Sequence, residues 1–489
     1  MRSLIQEIHT AHTPESLVES LREEGGVALL RTALFGSPWA RYSFVTAGPF
    51  LTFRDFGSRC EITGPQGPVP VRQIQFGDPW QLLDALLARF ELLDDVDLPF
   101  PLGGGFGSWG YDLKNFIEPK LPRRAVNDLE LPDGHVGFYD SLVVFDHHLG
   151  KTFVVSTGLT ADGSRSRERA RARMEFWTSM TSRPPSTRPV VPVQGAEPAG
   201  RAKAVSNWSH AGFLAAVERA QRYIRAGDIY QVNLSQRLSA PCGDSAWDFF
   251  QRLNALSPAP FAAFLDCGDF QLASSSPELF LRLSGSHIQT RPIKGTRPRD
   301  AAPTRDAQLA YELQTSPKEL AELLMITDLL RNDLGRVCEF GSVQVPEMAK
   351  LERFAQVQHL VSMVEGRLRT DVTHLGALAA CFPGGSITGA PKFRAMEIID
   401  ELEPVARGPY CGCHGYLGFN RESQLSITIR TALCKDGFAH FNVGAGIVAD
   451  SRPEAEYEET LAKAAGFLAA LQTGFSSSPN LAEERASNL

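Results

Sequence analysis

Basic residues are in short supply in this 489-residue chain. Its 49 lysines and arginines stand against 56 acids, a formal net charge of −7 and a pI near 5.9. With no surplus of positive charge to coat a polyanion, general nucleic-acid binding is excluded. Long apolar runs are missing too, and no segment reaches the roughly 20 residues that a membrane-spanning helix needs. The amino terminus, MRSLIQEIHTAHTPESL, mixes acids and histidines where a secretion signal carries continuous apolar sequence. Cysteine is scarce, eight residues at irregular spacing, too few for a disulfide framework. Cys411, Cys413 and His414 look like half a metal site, but no second pair matches them and the stretch reads as β, so small buried thiols are expected. What is left is an ordinary globular composition, 43% hydrophobic and 21% charged, expected in a reducing cytoplasm. The length suits about three average domains or one large α/β unit.

Residues 1–180 alternate short apolar runs with turn signals, as in RYSFVTAG, FLTFRDFG and HVGFYDSLVVFDHH. This is the pattern of an antiparallel sheet. Residues 79–93 have helical spacing, as do the arginine-rich residues 163–182. The glycine-dense run 103–111 lacks a strand-to-helix frame, so it reads as close backbone approach or a bulged strand, not a nucleotide loop. A proline-rich stretch at 183–205 reads as a linker or long surface loop, and 475–489 as a polar tail. In the second half, Ser209 is placed to cap a helix ending before Gly227, and Ser316-Pro317-Lys318-Glu319 reads as a capping box. That second helix has Leu320, Leu323, Leu324, Thr327, Leu330 and Leu334 on its apolar face and Gly335 as its stop. A last helix opens with another capping pattern at Ser451–Glu454, with Tyr457, Leu461, Ala464, Ala465, Leu468 and Leu471 facing in.

The chemistry-bearing residues gather in this half. Lys294 lies between a proline and a glycine with Arg291, Arg297 and Arg299 around it. A lysine in cationic, partly dry surroundings is disfavoured as the ammonium, which makes a free amine available as nucleophile or base. The two capped helices each carry acids three residues apart, Glu319 with Glu322 and Glu456 with Glu459. If adjacent, they form an oxygen-rich site suited to Mg²⁺. Glu319 and Glu454 also suit helix caps, and Glu459 suits pairing with Lys463. The glycines around Ser386 and Thr388 fit the binding of a carboxylate, and Gly444 with Gly446, in an apolar strand-like run, mark close approach of a ligand or another backbone. Arg430, in a β-like alternation, fits a bidentate carboxylate contact. His359 alternates with Val357, Val361 and Met363 and is expected to face inward.

Several long motifs carry a resemblance: PIKGTRPR, KELAELLMITDLLRNDLGRV, FPGGSITGAPKFRAMEIIDELE, RGPYCGCHGYLGF, ITIRTA and GAGIVADSRPEAEYEET. On them the chain resembles the chorismate-utilising enzymes, strongly across about 208–472 and more weakly across 1–180. The resemblance implies an α+β fold of two intertwined halves, with facing antiparallel sheets, helices outside, and 206–474 as the catalytic part. It further implies Mg²⁺ held by Glu322, Glu456 and Glu459, with Glu319 nearby, bridging to the ring carboxylate of chorismate. Tyr410, Arg430 and the Gly444 and Gly446 amides would take the pyruvyl carboxylate, Ser386 the ring carboxylate region, and His359 the side of the ring. Members that add water to the ring place a lysine base where this chain has Gln231, which argues against an isochorismate or salicylate synthase. Anthranilate synthases typically read PIAGT where this chain reads PIKGT, as aminodeoxychorismate synthases do. The expectation is amination of chorismate to 4-amino-4-deoxychorismate for 4-aminobenzoate and folate synthesis, with Lys294 as a covalent nucleophile. Anthranilate synthase component I is the alternative. No glutaminase segment is evident, so ammonia would come from a separate glutaminase subunit.

Overall fold

The strand Leu51–Phe56 buries every second residue, whereas Gly134–Tyr139 and Ser141–Asp146 are buried throughout. The first pattern belongs to a sheet margin with one wet face, the second to strands covered on both faces. The computed structural model describes residues 2–32, 40–64, 72–93, 96–185, 203–353, 357–473 and 475–476. Among these, strands assemble into one sheet of 13 and one of 12. Every pairing between strands is antiparallel except that of Ala204–Ser206 with Phe475–Ser476. Most of the expected linker and of the expected tail lies outside the described residues. Phe475 and Ser476, placed in that tail, instead extend the larger sheet.

Each sheet is half amino-terminal and half carboxy-terminal. In the larger, Ala28–Arg31 pairs with Phe261–Asp266; in the smaller, Gly104–Trp109 pairs with Cys413–Gly418. The halves are therefore intertwined, as the motifs implied. One apolar core lies between the sheets, where Phe44 of the larger meets Tyr416 of the smaller with ring centroids 5.1 Å apart. A second core lies under the helices of the larger sheet, including Trp177, Phe250 and Phe467.

Gly104–Trp109 is an interior strand, which explains its glycines. A Cβ on Gly107 would sit 2.0 Å from the His135 carbonyl oxygen, and one on Gly104 2.5 Å from that of Leu417. Backbone cannot yield as a side chain can, so Gly107→Ala is expected to cost more than about 4 kcal/mol. Urea unfolding, or failure to recover folded protein, checks this.

The helices follow local signals with some corrections. Ser209 caps His210–Arg225 by accepting from the Gly212 amide, and Gly227 follows with φ +83°. The helix expected over 79–93 is Pro79–Ala88; beyond it the Leu92 amide is drawn to the Phe419 carbonyl. The helix expected from 163 begins at Arg167, behind a Ser166 cap. On Pro317–Gly335, Ile326 is buried while Leu324 is 59% exposed, and the cap falls on Arg336, one past Gly335. On Pro453–Leu471, Phe467 faces in and Ala465 faces out.

Candidate active site

Two neighbouring corners organise the site. Gln271–Ser276 lies in the larger sheet and Leu279–Ser284 in the smaller, so the chain changes sheet at Pro277-Glu278. Glu422–Ile427 and Thr431–Lys435 make the reverse crossing through Thr428–Arg430. These strands pair in both sheets, and the corners are tied by the Ser275 amide to the Arg430 carbonyl at 2.9 Å and the Ile427 amide to the Glu278 carbonyl at 3.1 Å. Glu278 and Arg430 thus face one cleft from adjacent turns. Arg430 has φ +48°; it sits at a bend, not in the regular strand its alternation implied. Its side chain reaches solvent along a cleft enclosed enough to pull its pKa down, with Glu278 opposing.

Glu278 escaped the sequence reading. It is 6% exposed, and burial raises its pKa to about 7 against the pull of the Ser386 hydroxyl, Lys294 and Arg430. It is a buried acid that changes protonation near neutrality, as a proton donor must. Ser386, expected at a substrate carboxylate, lies beside Glu278 and lowers its pKa through its hydroxyl, and Thr388 turns inward to the Gly384 carbonyl at 3.1 Å.

Lys294 lies half-buried on the strand Ile293–Pro298. The arginines beside it do not supply the cationic surroundings expected of them. Arg291 pairs with Glu352, Arg297 with Glu319 at 3.4 Å, and Arg299 with Asp306 at 2.8 Å. Lys294 instead lies in the field of two carboxylates, Glu278 and Glu322. The adjoining Gly295 has φ +68°, and a Cβ there would meet Glu319 Oε2 at 3.0 Å. His359, 4% exposed, bonds Thr296 Oγ1 through Nδ1 at 2.9 Å. Burial lowers its pKa to about 4, followed by the charge of Arg430, so it is neutral at physiological pH.

The acids expected to bind metal come together only loosely. Burial raises the pKa of Glu322, with Glu319 and Glu459 adding repulsion. Burial also raises that of Glu456, with Glu459 adding to it and a Ser451 hydrogen bond opposing it. Among the described residues no three acids, histidines or cysteines converge into a ready metal cage. Glu459 is held by Lys463 Nζ at 2.8 Å, and the same ammonium donates to the Gly444 carbonyl at 2.7 Å. Two cap readings fail. Ser316 does cap its helix through the Glu319 amide, but the Glu319 carboxylate turns to Arg297 and closes no box. Ser451 closes a turn onto the Val448 amide at 3.0 Å, while Arg452 stands at the N-cap without a side-chain bond. Glu454 takes His210 at 3.0 Å.

The opposite wall is Phe438–Ile447, paired in unbroken register with Gln231–Pro241. Thr431–Lys435 covers its other edge only as far as Phe441. Gly444 and Gly446 lie beyond. A Cβ on Gly444 would be 2.7 Å from the Tyr410 hydroxyl and 2.8 Å from the Leu234 carbonyl oxygen, so this residue needs to be glycine. One on Gly446 would be 2.4 Å from Gln231 Nε2, the movable end of a side chain. Burial raises the pKa of Tyr410, and Asn233 bonds its hydroxyl. Gln231 is 3% exposed and its Oε1 has no partner among the described residues. Cys411 and Cys413 are buried thiols, as expected, and His414 is buried near Thr428 and the Phe261 carbonyl.

The cleft therefore offers two kinds of anchor for an anion, Arg430 and the open-edged glycine strand, facing a buried proton donor, a lysine and a set of acids. The family model for chorismate binding enzymes matches residues 41–469. The chain belongs to the chorismate-binding enzymes. Anthranilate synthase component 1 of Bacillus caldotenax is 38% identical, over 94% of this chain and 91% of that one. Aminodeoxychorismate synthase component 1 of Salmonella typhimurium is 41% identical, over 87% and 88%. The solved anthranilate synthase component I from Streptococcus pneumoniae aligns with a TM-score of 0.76 and 31% identity, over 88% and 93%. Both activities thus occur among similar members of the family, and the discrimination between them falls to the site.

Proposed function

We propose that this chorismate-binding enzyme aminates chorismate at C4, giving 4-amino-4-deoxychorismate, with ammonia from a separate glutaminase subunit. The observation that carries this is Lys294, held in the cleft between Glu278 and Glu322. Its amine attacks C2 of the ring, both ring double bonds shift, and the C4–O bond breaks. Glu278 delivers the proton that makes the hydroxyl leave as water, and its carboxylate takes back the proton shed by the new lysyl amine. Ammonia then forms the bond to C4, the double bonds return, and the C2–N bond to Lys294 breaks. The net change is chorismate plus ammonia to aminodeoxychorismate plus water. Arg430 and the Gly444–Gly446 edge orient the pyruvyl carboxylate, and neutral His359 packs beside the ring without adding charge.

The acids suit Mg²⁺. Glu456 is buried and Glu322 half-buried, each beside like charge, an arrangement that a cation relieves, and Mg²⁺ keeps several waters and needs few protein ligands. Glu322, Glu456 and Glu459 would hold it, with Glu319 behind. When bound, Mg²⁺ supplies charge neutralisation for the ring carboxylate.

The test is a product assay with chorismate, Mg²⁺ and ammonium, run with and without aminodeoxychorismate lyase. The expected product is 4-aminobenzoate, formed only when the lyase is present. Anthranilate fluorescence without the lyase is the result that assigns the chain to the other activity.

A further inference from the structure

Lysine is out of place at the start of a helix. Lys392 is the first residue of Lys392–Leu402, whose first turn carries no acid, and the positive end of the helix dipole disfavours a cation there. A partner distant in the sequence accounts for it. Lys392 Nζ donates to Asp333 Oδ2 at 2.6 Å and to the Cys381 carbonyl at 3.1 Å. Asp333 is 4% exposed, and burial pushes its pKa up with Lys392 opposing. A buried ion pair stabilises a fold little more than a well-packed apolar pair does, so stability alone does not explain these two residues.

What the pair closes is a loop. Cys381 ends the helix His374–Cys381, and residues 382–391 lead from it to Lys392. The bond to the Cys381 carbonyl draws the two ends of that loop together, and Asp333 fastens them to the helix Pro317–Gly335. The loop also rests on that helix nearer its tip, where a Cβ on Gly385 would lie 2.4 Å from Leu329 Cδ2. Glu322, Leu329 and Asp333 stand seven and four residues apart, spacings that put them on one side of the helix. That side therefore carries an acid of the proposed Mg²⁺ set and the seat of the loop. Residues 382–390 are buried except for half-buried Ser386, which lies beside Glu278. Past Ser386 the loop is held by Arg407 on the Ile387 carbonyl at 3.2 Å and by the Asn233 amide on the Thr388 carbonyl at 2.8 Å.

We infer that Lys392 is a positioning residue: paired with Asp333, it clamps the loop 382–391 to the helix Pro317–Gly335 and so holds the Ser386 hydroxyl beside Glu278. The inference rests on Glu278 as the proton donor of the amination reading. Glu278 is faced by Ser386 from the loop, Lys294 from Ile293–Pro298, Arg430 from the neighbouring corner and the Cys411 thiol. Ser386 favours the carboxylate through its hydroxyl, so a loop that drifts away leaves the acid holding its proton to higher pH.

The test is the pH dependence of ammonium-driven aminodeoxychorismate formation. Lys392→Met with Asp333→Leu removes the clamp, leaves no unpaired charge in the core and keeps the net charge. Its alkaline limb is expected to move up by roughly half a pH unit or more, with kcat down roughly tenfold and KM changed less than about twofold. Ser386→Ala is expected to move the limb the same way, and adding it to the double variant to move it no further. Lys392→Arg keeps the pair, and its limb is expected at the wild-type position. A limb that stays in place in the double variant, or that moves again when Ser386→Ala is added, overturns the inference. Should the double variant not fold, Lys392→Met alone serves, because the bare Asp333 can take up a proton, and it is compared with and without Ser386→Ala in the same way. A wild-type limb that survives Glu278→Gln defeats the proton-donor reading itself, a separate outcome.

Discussion

Lys294→Ala is expected to lower aminodeoxychorismate formation by roughly three orders of magnitude or more, because the covalent step has no substitute nucleophile. Lys294 is half-buried on a strand near the edge of its sheet, so its truncation leaves the core intact, and thermal unfolding is expected to stay close to wild type. Arginine at the position retains the charge near Glu278 and Glu322 but has no nucleophilic amine, so Lys294→Arg is expected to be as inactive as the alanine variant. In the alanine variant, ammonia that reaches the ring attacks C2 itself, and the residual product is expected to shift toward anthranilate. Chromatography of the products reads all three outcomes. An alanine variant with unimpaired turnover would falsify the covalent route.

Glu278→Gln is the second large effect, and it works in opposite directions on activity and stability. Loss of the proton donor is expected to cost about 10²–10⁴ in kcat. The wild-type rate should fall as pH rises through about 7, where the buried acid ionises, and that limb should vanish in the variant. For stability, the folded pKa is raised from an ordinary value of 4.5 to about 7. Between these values the folded state holds the proton more tightly than the unfolded one, so stability is full below pH 4.5 and falls as pH rises through 7. Glutamine carries no such penalty. Relative to wild type, the variant is expected to gain on the order of 3 kcal/mol at pH 8 and little at pH 5. Denaturant unfolding at the two pH values reads this difference, and an equal offset at both would remove Glu278 as the group that titrates.

Much of this was legible in the chain because local signals report local structure. Ser209 caps its helix because a serine before an apolar period can accept from an amide three residues on. The glycines at 104 and 107 read as close approach because no other residue permits strands that near. Where two faces were equally apolar, periodicity did not choose between them. ELAELLMI offers both Leu324 and Ile326 to a core, and only the smaller sheet lying under the helix selects Ile326. Capping chemistry misled where a distant partner outcompeted the local one, as Arg297 does for the Glu319 carboxylate.

By itself the sequence determined that the chain is an antiparallel α+β protein, that its second half holds the clustered glycines, Arg430 and the acid pairs, and that a lysine stands at 294. Those are properties of residue type and short spacing. Only the tertiary structure decided the surroundings. Glu278 keeps its proton up to near neutrality because two strand pairs change sheet side by side, burying it opposite Arg430, more than 150 positions away in the chain. Lys294 faces carboxylates because its neighbouring arginines each find an acid elsewhere in the fold. Burial and opposing charge set protonation, and both depend on which distant segments meet.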